Sequence, residues 1–152
     1  MPGTKTRLTD FLPYRLAITS NAVSGLISDE YREQFGLKIP EWRVMAVLGD
    51  SRQLTQRQLV RATVMDKVAV NRACKVLEER GLVARSANVA DGRSHFLELT
   101  PAGRQMHAQI WPQAYGMTER IFACLSQKDQ DKLRAILAKL LDSVHKIEVE
   151  TE

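Results

Sequence analysis

The chain has 152 residues, is 44% hydrophobic and 26% charged, and carries a formal net charge of +4. That is the size of one domain whose core needs neither disulfides nor metal, with the composition of an ordinary globular protein. No apolar run approaches the length of a membrane span, and the opening "MPGTKTRLTDFLPYR" lacks the apolar centre of a signal peptide. The expectation is a cytoplasmic protein with no membrane partner. Cys74 and Cys124 are too few and too far apart for a disulfide framework or a zinc site, so no metal or cofactor is expected. The charge is unevenly spread. Between Arg52 and His107 ten basic residues stand against five acidic ones, a net +5, so the rest of the chain sums to −1. A localised basic surface is the electrostatic footprint of a phosphate-binding module, although a solvated face explains charge alone equally well.

"TDFLPYRLAITSNAVSGLISDEYREQFGL" reads as a long first helix. Thr9 or Asp10 can cap it, Pro13 fits only in its first turn, and Gly36 stops it. Leu12, Leu16, Val23, Leu26, Ile27 and Phe35 recur with roughly helical period. Pro40 opens a short helix, "PEWRVMAVLG", which Gly49 closes. Thr55 and Gln58 form a capping box at the start of "LTQRQLVRAT". Asp66 caps "DKVAVNRACKVLEERG", where Val70, Ala73, Cys74 and Leu77 make a buried stripe. Two short strands follow, joined through "NVADGRSHF", with Asp91-Gly92 as the turn signal and Gly92 supplying a positive φ. Thr100-Pro101 opens a long helix to about Leu125, interrupted by Pro112, which should kink it. Ser126 and Asp129 start a last helix with a broad apolar face of Leu133, Ile136, Leu137, Leu140, Leu141, Val144 and Ile147.

Helix, helix, helix, hairpin within the basic third is the order of a winged helix-turn-helix. The fold expected is mainly α, with a two-stranded wing and long terminal helices. With the stripe facing inward, the second short helix turns Lys67, Val68, Ala69, Asn71, Arg72 and Lys75 outward. Cations can neutralise phosphates, Asn71 can pair bidentately with adenine, and apolar atoms can touch a thymine methyl. The start of the preceding helix adds Gln56 and Arg57 as candidate DNA contacts. Arg93 at the wing tip can enter a narrow A·T-rich minor groove, with Asp91 holding its guanidinium.

The stretch from Leu54 to Arg104 resembles the DNA-binding core of the MarR family of winged-helix regulators, through "LEERGLV", the Asp91-x-Arg93 wing tip and "LTPAG". The resemblance covers nearly the whole chain. It implies one domain over residues 1–152, with a winged part at about 37–100 and dimerisation helices at about 8–36 and 101–148. It further implies an obligate homodimer on a pseudo-palindromic double-stranded DNA operator, acting as a ligand-responsive repressor. Val68, Ala69 and Asn71 stand where many members carry Ser or Thr, so operator sequence does not transfer. The first helix has no cysteine where peroxide-sensing members carry one, and Cys74 and Cys124 read as structural.

In the family, effectors bind between the dimer helices and the winged part. The matching stretches here hold Tyr14, Arg15, Ser20, Trp42, Arg43, His107, Trp111 and Tyr115. An arginine could pair with a small anionic aromatic effector, such as an aromatic carboxylate or its thioester, while the rings line an apolar pocket. Plain core or surface roles are the alternative for each. An enzyme is disfavoured, because His95, His107 and His145 have no metal-ligand spacing and no phosphate loop or nucleophile motif occurs. The rival is a winged-helix interaction module without operator binding, made plausible by Val68 and Ala69.

Overall fold

The computed structural model describes residues 7–152. Residues 1–6, part of the segment read above as lacking a leader, lie outside the described residues. After a single 3-10 turn at Leu8–Asp10 come helix α1 (Leu12–Phe35), α2 (Ile39–Asp50), strand β1 (Leu54–Thr55), α3 (Gln56–Thr63), α4 (Lys67–Glu79), β2 (Val83–Ala87), β3 (His95–Leu99), α5 (Pro101–Phe122) and α6 (Gln127–Thr151). No described helix is long and apolar enough to cross a membrane. The chain divides into two compact units, residues 1–117 and 118–152.

The core lies in the first unit. The α4 stripe of Val70, Ala73, Cys74 and Leu77 is buried as expected, together with Leu37, Trp42, Val44, Met45, Leu48, Leu59, Leu82, Val83, Leu97, Leu99 and Ile110. The wing is a three-stranded antiparallel sheet in the order β1-β3-β2. The hairpin expected from sequence is there, pairing Val83 with Leu99 and Ala87 with His95. It gains a third strand, because Leu54 and Thr55 pair with Leu97 and Phe96 on the other edge of β3.

The helix boundaries follow their caps. Thr55 Oγ1 accepts from the Gln58 amide, and Gln58 Oε1 accepts from the Thr55 amide. The Asp66 carboxylate accepts from the Ala69 amide at 2.8 Å, and Ser126 Oγ from the Asp129 amide. At the end of α4 the amides of Leu82 and Gly81 bond back to the carbonyls of Leu77 and Glu78, with Gly81 at φ +70°. That is a Schellman ending, and it needs a residue free of the left-handed penalty. Thr100 then ties the wing to α5. Its hydroxyl donates to the Gly81 carbonyl at 2.6 Å and accepts from the Gly103 amide. A Cβ on Gly103 would collide with the Leu82 carbonyl oxygen, so "LTPAG" encodes a cap, a first-turn proline and a close helix-to-strand approach.

Several expectations are corrected. Neither Thr9 nor Asp10 caps α1: the N-cap is Phe11, with no side-chain bond, because these residues are used in the 3-10 turn. Leu12, Leu16 and Leu26 of α1 are exposed, whereas Ser28, Tyr31 and Phe35 are buried. Gly49 does not close α2, which runs to Asp50. Gly92 has no positive φ, because the wing loop consists of two successive backbone turns, with the Asp91 amide donating to the Asn88 carbonyl and the Ser94 amide to the Asp91 carbonyl, and side chains reinforce them. Asn88 Oδ1 accepts from the Ala90 amide, and Asp91 Oδ1 from the Arg93 amide at 3.0 Å. Asp91 therefore holds the backbone of Arg93 and not its guanidinium. Helix α5 continues through Pro112 and ends at Phe122, short of Leu125.

Candidate nucleic-acid interface and effector region

Helix α4 starts at its Asp66 cap, which fixes which residues point away from the core. Lys67, Val68, Asn71, Arg72 and Lys75 are exposed, and Ala69 is half-buried. Beside α4 a cleft of about 530 Å³ is lined by Thr55, Gln56, Arg57, Val60, Lys67, Arg85, Arg93, Ser94 and His95. The structure thus gathers Gln56, Arg57, Lys67 and Arg93, drawn from α3, α4 and the wing turn, around one concavity. Among the described residues, Arg57, Lys67 and Arg93 have no acidic partner. Cations left unpaired in a concave surface concentrate positive potential and are available to phosphates. Asn71 is engaged within the protein: its Oδ1 accepts a hydrogen bond from Gln56 Nε2 at 3.3 Å.

Sequence reasoning passed over Arg85, Ser94 and His95. Arg85 is held by a two-pronged pair with Glu78, at 2.9 and 3.1 Å, and this bond to a carboxylate pushes its pKa up. No local signal marked them: every residue of β2 after Val83 is exposed, so alternation does not single out Arg85, and His95 only opens β3 beside Ser94.

The second group of candidates is only partly brought together. Trp42 of α2 is buried, with His107 stacked on it at 5.5 Å between ring centroids. Trp111 stacks on His107 in turn, at 5.7 Å and 15°. Tyr31 of α1, which sequence reasoning did not single out, joins them at 5.4 Å from Trp42. His107 Nε2 is buried and has no hydrogen-bond partner among the described residues. Burial lowers its pKa, with the Arg104 charge adding to that and Asp50 opposing it. Burial also raises the Tyr31 phenol, against the nearby charges of Arg43 and Arg32. Arg43 reaches α1, donating to Ser24 Oγ at 3.3 Å. Arg15 instead turns back to the Thr9 carbonyl. Tyr14 is half-buried, and Ser20 and Tyr115 are exposed.

Of the two cysteines only Cys74 lies in the core, as expected from its place on the α4 stripe. Burial, with Glu78 adding to it and Arg85 opposing, pushes the Cys74 thiol up to about 11. Cys124 is exposed, its thiol directed to the Ile121 carbonyl.

A capped helix-turn-helix with an outward cationic face, followed by a wing over a basic cleft, defines a winged-helix DNA-binding protein. A sequence model of the MarR family matches residues 35–94. The HTH-type transcriptional repressor Rv2887 of Mycobacterium tuberculosis is 30% identical over 131 residues, covering 86% of this chain and 91% of its own. The MarR family transcriptional regulator SPO1453 of Silicibacter pomeroyi superimposes with a TM-score of 0.77 at 31% identity, over 92% of this chain and 99% of its own. BpsR of Bordetella bronchiseptica, whose DNA binding is regulated by 6-hydroxynicotinic acid, shares the fold with a TM-score of 0.80 at 23% identity, over 90% of this chain and 96% of its own. The chain belongs to the MarR family of winged helix-turn-helix, DNA-binding transcriptional regulators.

Proposed function

We propose that the chain acts in the cytoplasm as a homodimeric repressor, binding an inverted-repeat operator and releasing it when a small anionic aromatic effector binds. The observation that carries the DNA reading is the unpaired cationic set of Arg57, Lys67 and Arg93 around one cleft, beside the exposed face of α4. In this reading Lys67, Arg72 and Lys75 hold phosphates, Asn71 reads a base, Val68 and Ala69 touch thymine methyls, and Arg93, set by Asp91, enters the minor groove. Residues 37–100 form the winged part, and residues 8–36 and 101–148 supply dimerisation helices. Two apolar faces support the dimer: Leu12, Leu16, Ile18 and Leu26 on α1, and Ile136, Leu137, Leu140, Leu141, Val144 and Ile147 on α6 are all exposed. Repeated exposure of large apolar groups along a helix marks a surface that a partner covers.

The effector reading rests on the Trp42, His107 and Trp111 stack with Arg43 close by, and on the aromatic acid that regulates BpsR. An aromatic carboxylate or its thioester would stack on such rings and pair with the guanidinium.

The test is selection of bound sequences from random double-stranded DNA, followed by gel shifts at several salt concentrations. The expected motif is an inverted repeat with half-site centres about one helical turn apart, and binding should weaken steeply with salt as counterions are released. A protein that is monomeric at micromolar concentration, or that enriches no sequence, would favour the interaction-module reading.

A further inference from the structure

Gln56 is the first residue of α3, and its backbone is fixed by the reciprocal Thr55–Gln58 cap around it. Asn71 is the fifth residue of α4 and is exposed. The hydrogen bond from Gln56 Nε2 to Asn71 Oδ1 links the two helices of the helix-turn-helix through the side chain expected to touch a base. It also gives that side chain a polarity. An unrestrained asparagine reads adenine by accepting from N6 with its carbonyl while donating to N7 with its amide. Here the carbonyl is turned to Gln56, and the two N–H groups of Asn71 have no partner among the described residues. What the pair offers outward is therefore donors. In the major groove, guanine is the base that answers adjacent donors, with O6 and N7 side by side.

We propose that Gln56 is a positioning residue that orients the Asn71 amide, so that Asn71 reads guanine and not adenine. This rests on the operator-binding reading above and replaces the adenine pairing expected from sequence. Gln56 sets the preference without itself contacting that base.

The pair can be reversed chemically. A carboxylate at residue 56 cannot donate to the Asn71 carbonyl but accepts from its amide. Gln56→Glu therefore turns the Asn71 carbonyl outward, toward donors such as cytosine N4 or adenine N6. Gln56→Ala frees the amide and restores adenine pairing.

The experiment is selection from random double-stranded DNA with the full chain and its Asn71→Ala, Gln56→Ala, Gln56→Glu and doubly substituted Gln56→Ala/Asn71→Ala variants, with thermal melts checking that each is folded. Asn71→Ala defines the position read, as the one where preference disappears while the rest of the motif persists. At that position the parent should enrich guanine by roughly fivefold or more. Gln56→Ala should move the preference toward adenine, Gln56→Glu should disfavour guanine, and the double variant should match Asn71→Ala alone. The proposal is overturned if the parent selects adenine there, or if Gln56→Ala and Gln56→Glu leave the preference as in the parent. Enrichment of no motif by the parent would remove the operator-binding reading and this inference with it.

Discussion

The imidazole of His107, on α5, occupies the space that a side chain on Gly49 of α2 would need: a Cβ there would overlap the ring at Nε2. The ring cannot move aside freely, because Trp42 and Trp111 stack on it. Gly49→Ala must therefore overpack this joint, at a cost of about 1–3 kcal/mol. Against that stands the gain of roughly 1 kcal/mol from replacing a helical glycine by alanine. The expected outcome is a net destabilisation of about 0–2 kcal/mol, read as a lower urea midpoint at unchanged slope. Adding His107→Ala should recover part of that loss, since the two changes share one space. A more stable Gly49→Ala protein would show that the ring yields.

The same joint makes stability depend on pH. Burial holds the folded His107 pKa below its ordinary value of 6.5, with Arg104 adding to the effect and Asp50 opposing it. The unfolded chain then binds more protons than the folded one between those two pKa values. This contribution is fully present above pH 6.5 and is lost as pH falls from 6.5 through the folded pKa. Urea stability measured from pH 7.5 to 5 should decline more steeply for the parent than for His107→Phe. Parallel curves would mean that the imidazole becomes charged as easily folded as unfolded.

Much of the winged part was legible because its signals are local. The caps at Thr55 and Asp66 need only three neighbouring residues, and the α4 stripe needs only helical period. What escaped depends on residues distant in sequence or on partners outside the chain. Leu12 and Leu16 have the period of core residues and yet are exposed, because period marks an apolar face and not what covers it. Strand β1 has two residues, too short to show alternation, and exists because β3 has a free edge beside it. Gly49 looked like a helix stop because nothing near it in sequence announces His107. At the candidate interface the exposed face of α4 followed from its buried stripe, but Arg85 and His95 reach the cleft only through the pairing of β2 with β3.

Val64, in the turn between α3 and α4, has φ +52° and is exposed. A β-branched residue in the left-handed region is strained, by roughly 1–2 kcal/mol. Val64→Asn keeps a side chain in the turn and suits that region. It should raise stability by about 1 kcal/mol, seen as a higher urea midpoint. No gain would mean that the turn relaxes around valine.

The two thiols should react at very different rates. Cys74 is buried, with its pKa pushed up to about 11, so little thiolate forms at neutral pH. Cys124 is exposed. Titration of the native protein with a thiol reagent should show one fast equivalent, abolished by Cys124→Ser, and a second only after unfolding. Two fast equivalents would indicate that α4 opens readily.

The effector should be discriminated by charge through Arg43 and not Arg15. Arg43 lies where its charge is felt by Tyr31, which packs on Trp42 of the aromatic stack. Arg15 is bonded to the Thr9 carbonyl within its own end of the chain. A ligand releases DNA only by binding one conformation better than the other. A tenfold to hundredfold change in operator affinity needs roughly 1.4–2.8 kcal/mol of coupling, within the range of one charge-assisted pair. Replacing each arginine by methionine keeps most of the apolar stem and removes the charge. In gel shifts titrated with aromatic carboxylates, their thioesters and neutral analogues, the parent and Arg15→Met should respond to the acids and little to the neutral compounds. Arg43→Met should lose that distinction, with the acids weakened about tenfold or more toward the neutral analogues. If Arg43→Met still favours the acids as the parent does, the pairing cation lies elsewhere; if neutral analogues release DNA from the parent as well as acids do, no charge pair is involved.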